Sequence, residues 1–301
     1  EKDLLDLRND VVFKFYFTRT ANKHILINFL NAVINPASPI RDITWMNPNL
    51  DKELLSHKSS ILDLALKLEN GSYVDVEMQM DSTYQRYRGR ILYYWAKLHQ
   101  SQLAAGDDYL SLRPTISIYV LNYVEFPEIQ DRFHFIFKVQ EAKSKTIYNE
   151  DLQLHFLELP KYDKLKNENK SEHDMTPLQL WASLFQFHNA SPNEIKALEQ
   201  EATMSQALKA LKDLSQEPAV RELAEAREKA RINERITLGS ARQLGLEEGL
   251  QKGLEQGIEQ GREAQSIEVA KKLLHENVDE GFIEKISGLS LEKIREIKKT
   301  I

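Results

Sequence analysis

The chain has 301 residues, is 42% hydrophobic and carries a formal net charge of −6, which suggests about two domains with a sizeable core. The absence of cysteine excludes disulfides and thiolate zinc sites and fits a reducing cytoplasm, and no apolar run approaches the ~20 residues that cross a bilayer. The negative total does not advertise nucleic-acid binding, but the local distribution of charge decides that, not the sum.

Residues 9–17, NDVVFKFYF, are apolar and aromatic except for Asp10 and Lys14. Four apart, these two share one face of a helix, the spacing of an ordinary ion pair. Asn22 to Ile34 reads as an amphipathic helix with Leu26, Phe29, Leu30 and Val33 on one side, ended by Asn35-Pro36. A loop and a first strand around Ile43 to Asn47 follow.

Ile61 to Met80, ILDLALKLENGSYVDVEMQM, is the stretch around which the rest is organised. Leu62, Leu64, Leu66 and Leu68 alternate on one strand, and Val74, Val76, Met78 and Met80 on the next, a period of two that marks strands. A two-residue Asn-Gly turn would set apolar residues of one strand beside polar residues of the other. A three-residue loop, Glu69-Asn70-Gly71, with Gly71 left-handed, restores the match. Leu68 then faces Ser72, Leu64 faces Val76 and Asp63 faces Glu77. Opposed Cβ atoms lie about 4.5–5.5 Å apart, so two carboxylates there repel unless something positive separates them. A ribbon with one solvated face is the ordinary outcome for such a hairpin. A divalent cation held by hard oxygen ligands is the sharper one.

Thr83 to Ala105 has the pattern of a long helix ending at Gly106. Tyr84, Tyr87, Ile91, Leu92, Tyr94, Trp95 and Leu98 share a broad apolar face. Arg86, Arg90, Tyr93 and Lys97 form the other, which is either a phosphate track or a solvated surface. Arg88 and Gln102 fall within the apolar face and so require bonding partners, structural or at an active site. Arg113 to Val124 reads as a central strand buried on both sides. Residues 132–140 and 152–159 read as two more strands, with His134 and His155 structural.

Lys161 to Thr176 is polar and reads as a loop, followed by helices at Pro177–His188 and Pro192–Leu214. Residues 218–235 read as a charged helix. Gly245, Gly249, Gly253, Gly257 and Gly261 then recur every four residues, with Leu246, Leu250, Leu254 and Ile258 one step behind. Each glycine costs an isolated helix ~1 kcal/mol relative to alanine. The segment is therefore either a flexible spacer or a helix that recovers the cost by close packing. Three short helices, at Ser266–Leu274, Gly281–Ile286 and Ser290–Lys299, would form a cap or a helix-turn-helix-like contact. The expected divisions are 1–160, 161–215, 216–265 and 266–301.

Asp63 followed by Glu77-Met78-Gln79 across a short hairpin resembles the motif of the PD-(D/E)XK nuclease superfamily. More closely, the chain resembles its Rpn branch of recombination-promoting nucleases, whose members often carry the label of transposase. Asn9-Asp10-Val11-Val12-Phe13-Lys14, Tyr84 to Leu103 and Gly106-Asp107-Asp108-Tyr109 match in the same order. The resemblance covers roughly residues 5 to 125 well and the rest loosely. It implies an α/β restriction-endonuclease-like core, a mixed sheet flanked by helices, with an α-helical C-terminal extension. It also implies a Mg²⁺-dependent endonuclease acting on DNA, with Asp63, Glu77 and the Met78 carbonyl holding the metal. Gln79 stands where the superfamily has a lysine, as is common in the Rpn branch, and would position the attacking water. Lys14 is then the expected charge stabiliser, with Asp10, Asp75, Arg88 and Gln102 in support and Arg86, Arg90 and Lys97 contacting nucleic acid. A non-catalytic DNA- or partner-binding protein of the same fold is the alternative. In either case the glycine-rich helix would join copies into a homo-oligomer.

Overall fold

The computed structural model describes residues 4–46, 64–81, 86–168 and 175–301. The chain divides into two compact units, Glu1–Lys229 and Ala230–Ile301. The first is built on a six-stranded mixed sheet of order β1-β2-β3-β4-β6-β5: β1 Ile43–Trp45, β2 Leu64–Leu68, β3 Tyr73–Gln79, β4 Thr115–Leu121, β5 His134–Lys138 and β6 Leu152–Glu158. β3, β4 and β6 run parallel, while β1–β2, β2–β3 and β5–β6 are antiparallel.

The β2–β3 hairpin has the register its turn chemistry demands. Leu64 pairs with Val76 and Leu66 with Val74, the Gly71 amide donates to the Leu68 carbonyl at 2.9 Å, and Gly71 has φ +89°. A side chain at Gly71 would be strained by that backbone and would also meet the Arg113 side chain. Asp63 lies outside the described residues.

Alternation along the strands gives the sheet two unlike faces. Leu64, Leu66, Leu68, Val74, Val76, Met78, Ile116, Ile118 and Val120 are buried in one large core. The helices that join them there are α1 (Asp10–Thr18), α2 (Lys23–Ile34), α4 (Leu159–Glu168), α5 (Pro177–Phe185), α6 (Pro192–Gln200) and α7 (Ala202–Ser215). Phe17, Phe29, Trp181 and Phe185 interlock at its centre, with Phe29 and Trp181 edge to face at 5.1 Å. The opposite face is covered by α3 (Arg86–Gln100), the crossover between parallel β3 and β4. Ile91 of α3 packs there with Tyr119, Leu121, Phe135, Leu154 and Phe156. Asp75 and Glu77 are buried on this face, so the solvated-ribbon reading does not hold.

Several expected elements change. The polar stretch from Lys161 begins inside helix α4. Its polarity misleads because Lys161 and Glu158 bury their charges together at 2.6 Å, and Tyr162 is buried as well. The expected helix at 192–214 breaks at Glu201, whose backbone is extended and whose carboxylate accepts from the Met204 amide to cap α7. Helix α3 ends at Gln100 rather than near Gly106. The charged helix, the glycine repeat and the first of the three terminal helices form one helix of 58 residues, α8 (Pro218–His275). Its first turns belong to the core unit, where Val220 and Ala224 are buried.

The second unit comprises the rest of α8 with α9 (Glu280–Ser287) and α10 (Leu291–Lys298). Ala270, Ile283, Ile294 and Ile297 form its small core. Ser290 caps α10 by accepting from the Lys293 amide. Glu280 ties the two short helices together through Arg295 at 3.1 Å and Lys298 at 2.7 Å.

Candidate active site

The site forms where β3 leaves the sheet beneath the first half of α3. Asp75, Glu77 and Gln79 alternate with Val74, Val76 and Met78, so all three polar residues project to the α3 side. Met78 turns its side chain into the large core. Glu77 is 4% exposed and stands 3.7 Å from the Arg90 guanidinium, whose side chain is 52% exposed. The Arg90 guanidinium also lies over the Tyr94 ring at 5.2 Å. A carboxylate this deeply buried needs a compensating charge or donor, and α3 supplies one.

The expected basic stripe on α3 is therefore split in role. Arg90 turns to Glu77, while Tyr93 and Lys97 are exposed, and only the backbone of Arg86 is described. Arg88 does not point into the apolar contact with the sheet. Its side chain is 70% exposed and pairs with Glu125 at 2.6 Å. Gln102 binds both backbone groups of Arg113 at 3.0 Å and the Thr115 hydroxyl at 2.9 Å. With the Trp95 indole donating to the Thr115 carbonyl at 2.8 Å, it pins the end of α3 to the start of β4. Gln102 thus acts at the far end of the helix from Glu77.

Asp10 pairs with Arg227 of α8 at 2.8 Å rather than with Lys14. Its neighbour Asn9 caps α1 and donates to the Ala224 carbonyl at 3.1 Å, so this motif anchors the root of α8. Lys14 is half-buried on α1, whose buried residues join the large core. Arg90, by contrast, is a basic side chain that stands beside Glu77.

Sequence reasoning missed the segment after β4. The Asn122 amide donates to the Gln79 carbonyl at 2.9 Å, and the Arg8 guanidinium donates to the Asn122 side chain at 2.9 Å. Tyr123 packs on the α3-side core. Burial first, and then the negative charges of Glu125, Glu77 and Glu158, push its phenol well above the ordinary range, so it stays a protonated donor. One Glu158 oxygen accepts from the Glu125 and Phe126 amides at 2.7 and 2.8 Å, and Lys161 donates to the Phe126 carbonyl at 2.6 Å. This buried pair holds the loop that presents Tyr123 and Glu125. The available signal was position: open α/β sheets bind ligands beyond the carboxyl ends of their strands, and the polar run Asn122-Tyr123 follows such an end.

Carboxylates on one sheet face are hard oxygen donors that suit Mg²⁺, so the donor chemistry of Asp75 and Glu77 fits a divalent cation. Among the described residues no group of three or more His, Cys, Asp or Glu side chains is placed to hold a metal ion.

A scan against protein families matches residues 7–241 to the PD-(D/E)XK nuclease family transposase model. The chain belongs to this family. The match spans the whole sheet, the helices on both faces and the first part of α8. Neither a search of curated proteins nor one of solved structures returned a match. Membership in the PD-(D/E)XK family supports a nuclease-like function and agrees with the mixed sheet and its acidic β3. Among the described residues no helix is long and apolar enough to cross a membrane.

Proposed function

We propose that this chain is a Mg²⁺-dependent DNA endonuclease that hydrolyses phosphodiester bonds during recombination or mobile-element cleavage in the cytoplasm. The observation that carries this is the buried Glu77 on the α3 side of β3, with Asp75 and Gln79 beside it and Arg90 facing it, in a PD-(D/E)XK chain. Asp63, Glu77 and the Met78 carbonyl would hold the cation. Bound there, the metal would lower the pKa of a water and neutralise charge on the scissile phosphate.

The protein's own residues then divide the remaining work. Gln79, fixed at its backbone by Asn122, orients the water. Asp75 supports Glu77 from two residues away on the same face. Arg86, Arg90 and Lys97, all carried by α3, contact nucleic acid in this reading. Arg90, already at Glu77, is better supported as the charge stabiliser than Lys14. Arg88 and Gln102 act by fixing α3, and Asp10 by anchoring α8.

Plasmid cleavage in Mg²⁺ tests this reading with wild type, Asp63→Ala, Glu77→Gln and an EDTA control. Cutting by wild type in Mg²⁺ alone is expected, and a Glu77→Gln protein that cuts as fast as wild type overturns it.

A second reading concerns assembly. Leu246, Leu250, Leu254 and Ile258 are exposed on α8, and a Cβ at any of the five repeat glycines would meet nothing within 4 Å. We propose that a second copy of the same ridge covers them. Ridges of period four interdigitate at a crossing angle of about −50°, and glycine lets the backbones approach. Light scattering of the full chain should show an oligomer that Leu250→Glu with Leu254→Glu dissociates. A monomeric wild type refutes it.

A further inference from the structure

Two arginines of α3 whose side chains are described, Arg88 and Arg90, face carboxylates and are held very differently. Arg88 donates a charge-assisted hydrogen bond to Glu125 at 2.6 Å. Arg90 stands at 3.7 Å from Glu77, beyond the ~2.7–2.9 Å at which such a bond forms. Its attraction to Glu77 is Coulombic and lacks a directional bond. Stacking on Tyr94 keeps the guanidinium near the carboxylate without fixing it there. The exposure is also lopsided, a buried anion facing a cation that is half in solvent. Such a cation can leave at little cost to itself, provided another charge takes its place.

We infer that Arg90 is the resident counter-ion of Glu77, that a divalent cation displaces it, and that the displaced guanidinium goes to a phosphate of the nucleic acid. This rests on the reading of Glu77 as a metal ligand. The physical reason is competition for one anion. A doubly charged ion at the Glu77 oxygens repels a guanidinium held only by Coulomb attraction and ring stacking, whereas the firmly bonded Arg88 stays in place. Positions 86, 90, 93 and 97 share a helix face, so Arg90 swings out beside the exposed Lys97. Metal loading thereby adds a positive charge to the nucleic-acid track. By linkage, whatever factor the metal contributes to phosphate binding, phosphate returns to metal binding.

The inference predicts opposite effects of a single substitution. In the full chain, calorimetric titration with Mn²⁺ alone should show Arg90→Gln binding roughly three- to tenfold more tightly than wild type, because the metal no longer has to evict a charge. Glu77→Gln should lose Mn²⁺ binding. The same Arg90→Gln protein should bind a short DNA duplex in Ca²⁺ several-fold more weakly than wild type, having lost one phosphate contact. If Arg90→Gln binds Mn²⁺ no more tightly than wild type while Glu77→Gln still loses it, the counter-ion role is wrong and the metal-site reading stands. If Arg90→Gln binds the duplex as well as wild type, the transfer to phosphate is wrong. If Glu77→Gln binds Mn²⁺ like wild type, the metal-site reading itself fails.

Discussion

The two faces of the central sheet use the same strands for opposite ends. On one, Leu66, Val74, Val76 and Ile118 lie under a layer of helices in a continuous apolar core. On the other, Asp75, Glu77 and Gln79 sit beneath α3, and the apolar contact is the small cluster around Ile91. Burying charge is costly without compensation, so the thick face supplies the stability that lets the thin face hold carboxylates. That thin cover also leaves Arg90 and Lys97 exposed at the surface.

Breaking the thick face should have the largest effect. Trp181→Ala should cost about 3–5 kcal/mol, read as a lowered urea midpoint, with cleavage per folded molecule unchanged. A loss of activity without loss of stability would contradict the division of labour. Breaking the thin face should do the reverse. Glu77→Gln should reduce plasmid cleavage by about 100-fold or more and leave the urea midpoint close to wild type.

A pH series probes the thick face on its β5–β6 side. The His134 and His155 rings stack, with Nε2 of His134 and Nδ1 of His155 3.0 Å apart. Burial lowers His134 from 6.5 to about 4, and burial with the neighbouring His134 and Lys138 lowers His155 to about 3. Below 6.5 the unfolded chain therefore binds protons that the folded chain does not. Stability is full above that value and falls with pH by up to about 1.4 kcal/mol per unit for each histidine, until the folded-state values are reached. Urea midpoints between pH 8 and 5 should show this slope, and His155→Phe should flatten it.

The smallest effect sharpens the role of the N-terminal motif. Removing the half-exposed Asp10–Arg227 pair with Asp10→Asn should cost about 0.5 kcal/mol. Under an anchoring role it should leave the metal dependence of cleavage unchanged. A catalytic Asp10 would instead shift that dependence.

Period-two alternation and one glycine were enough to specify the hairpin, its register and its bulged turn. These are local properties, set by side-chain direction and by the one residue that accepts φ +89°. The order of apolar and polar runs likewise announced the central strand and the helix after the hairpin, and the resemblance of the hairpin's acidic motif announced the family. Only tertiary structure decided which charges meet. It gave Asp10 to Arg227 rather than Lys14, joined Arg88 to Glu125, buried Lys161 against Glu158 and brought Arg90 to Glu77. Asp10–Arg227, Arg88–Glu125 and Arg90–Glu77 join residues far apart in the sequence, and even Glu158–Lys161, three residues apart across the β6–α4 boundary, is buried by the surrounding chain. A charge's partner depends on where the whole chain sets it, whereas a strand's pattern can be read from the strand alone.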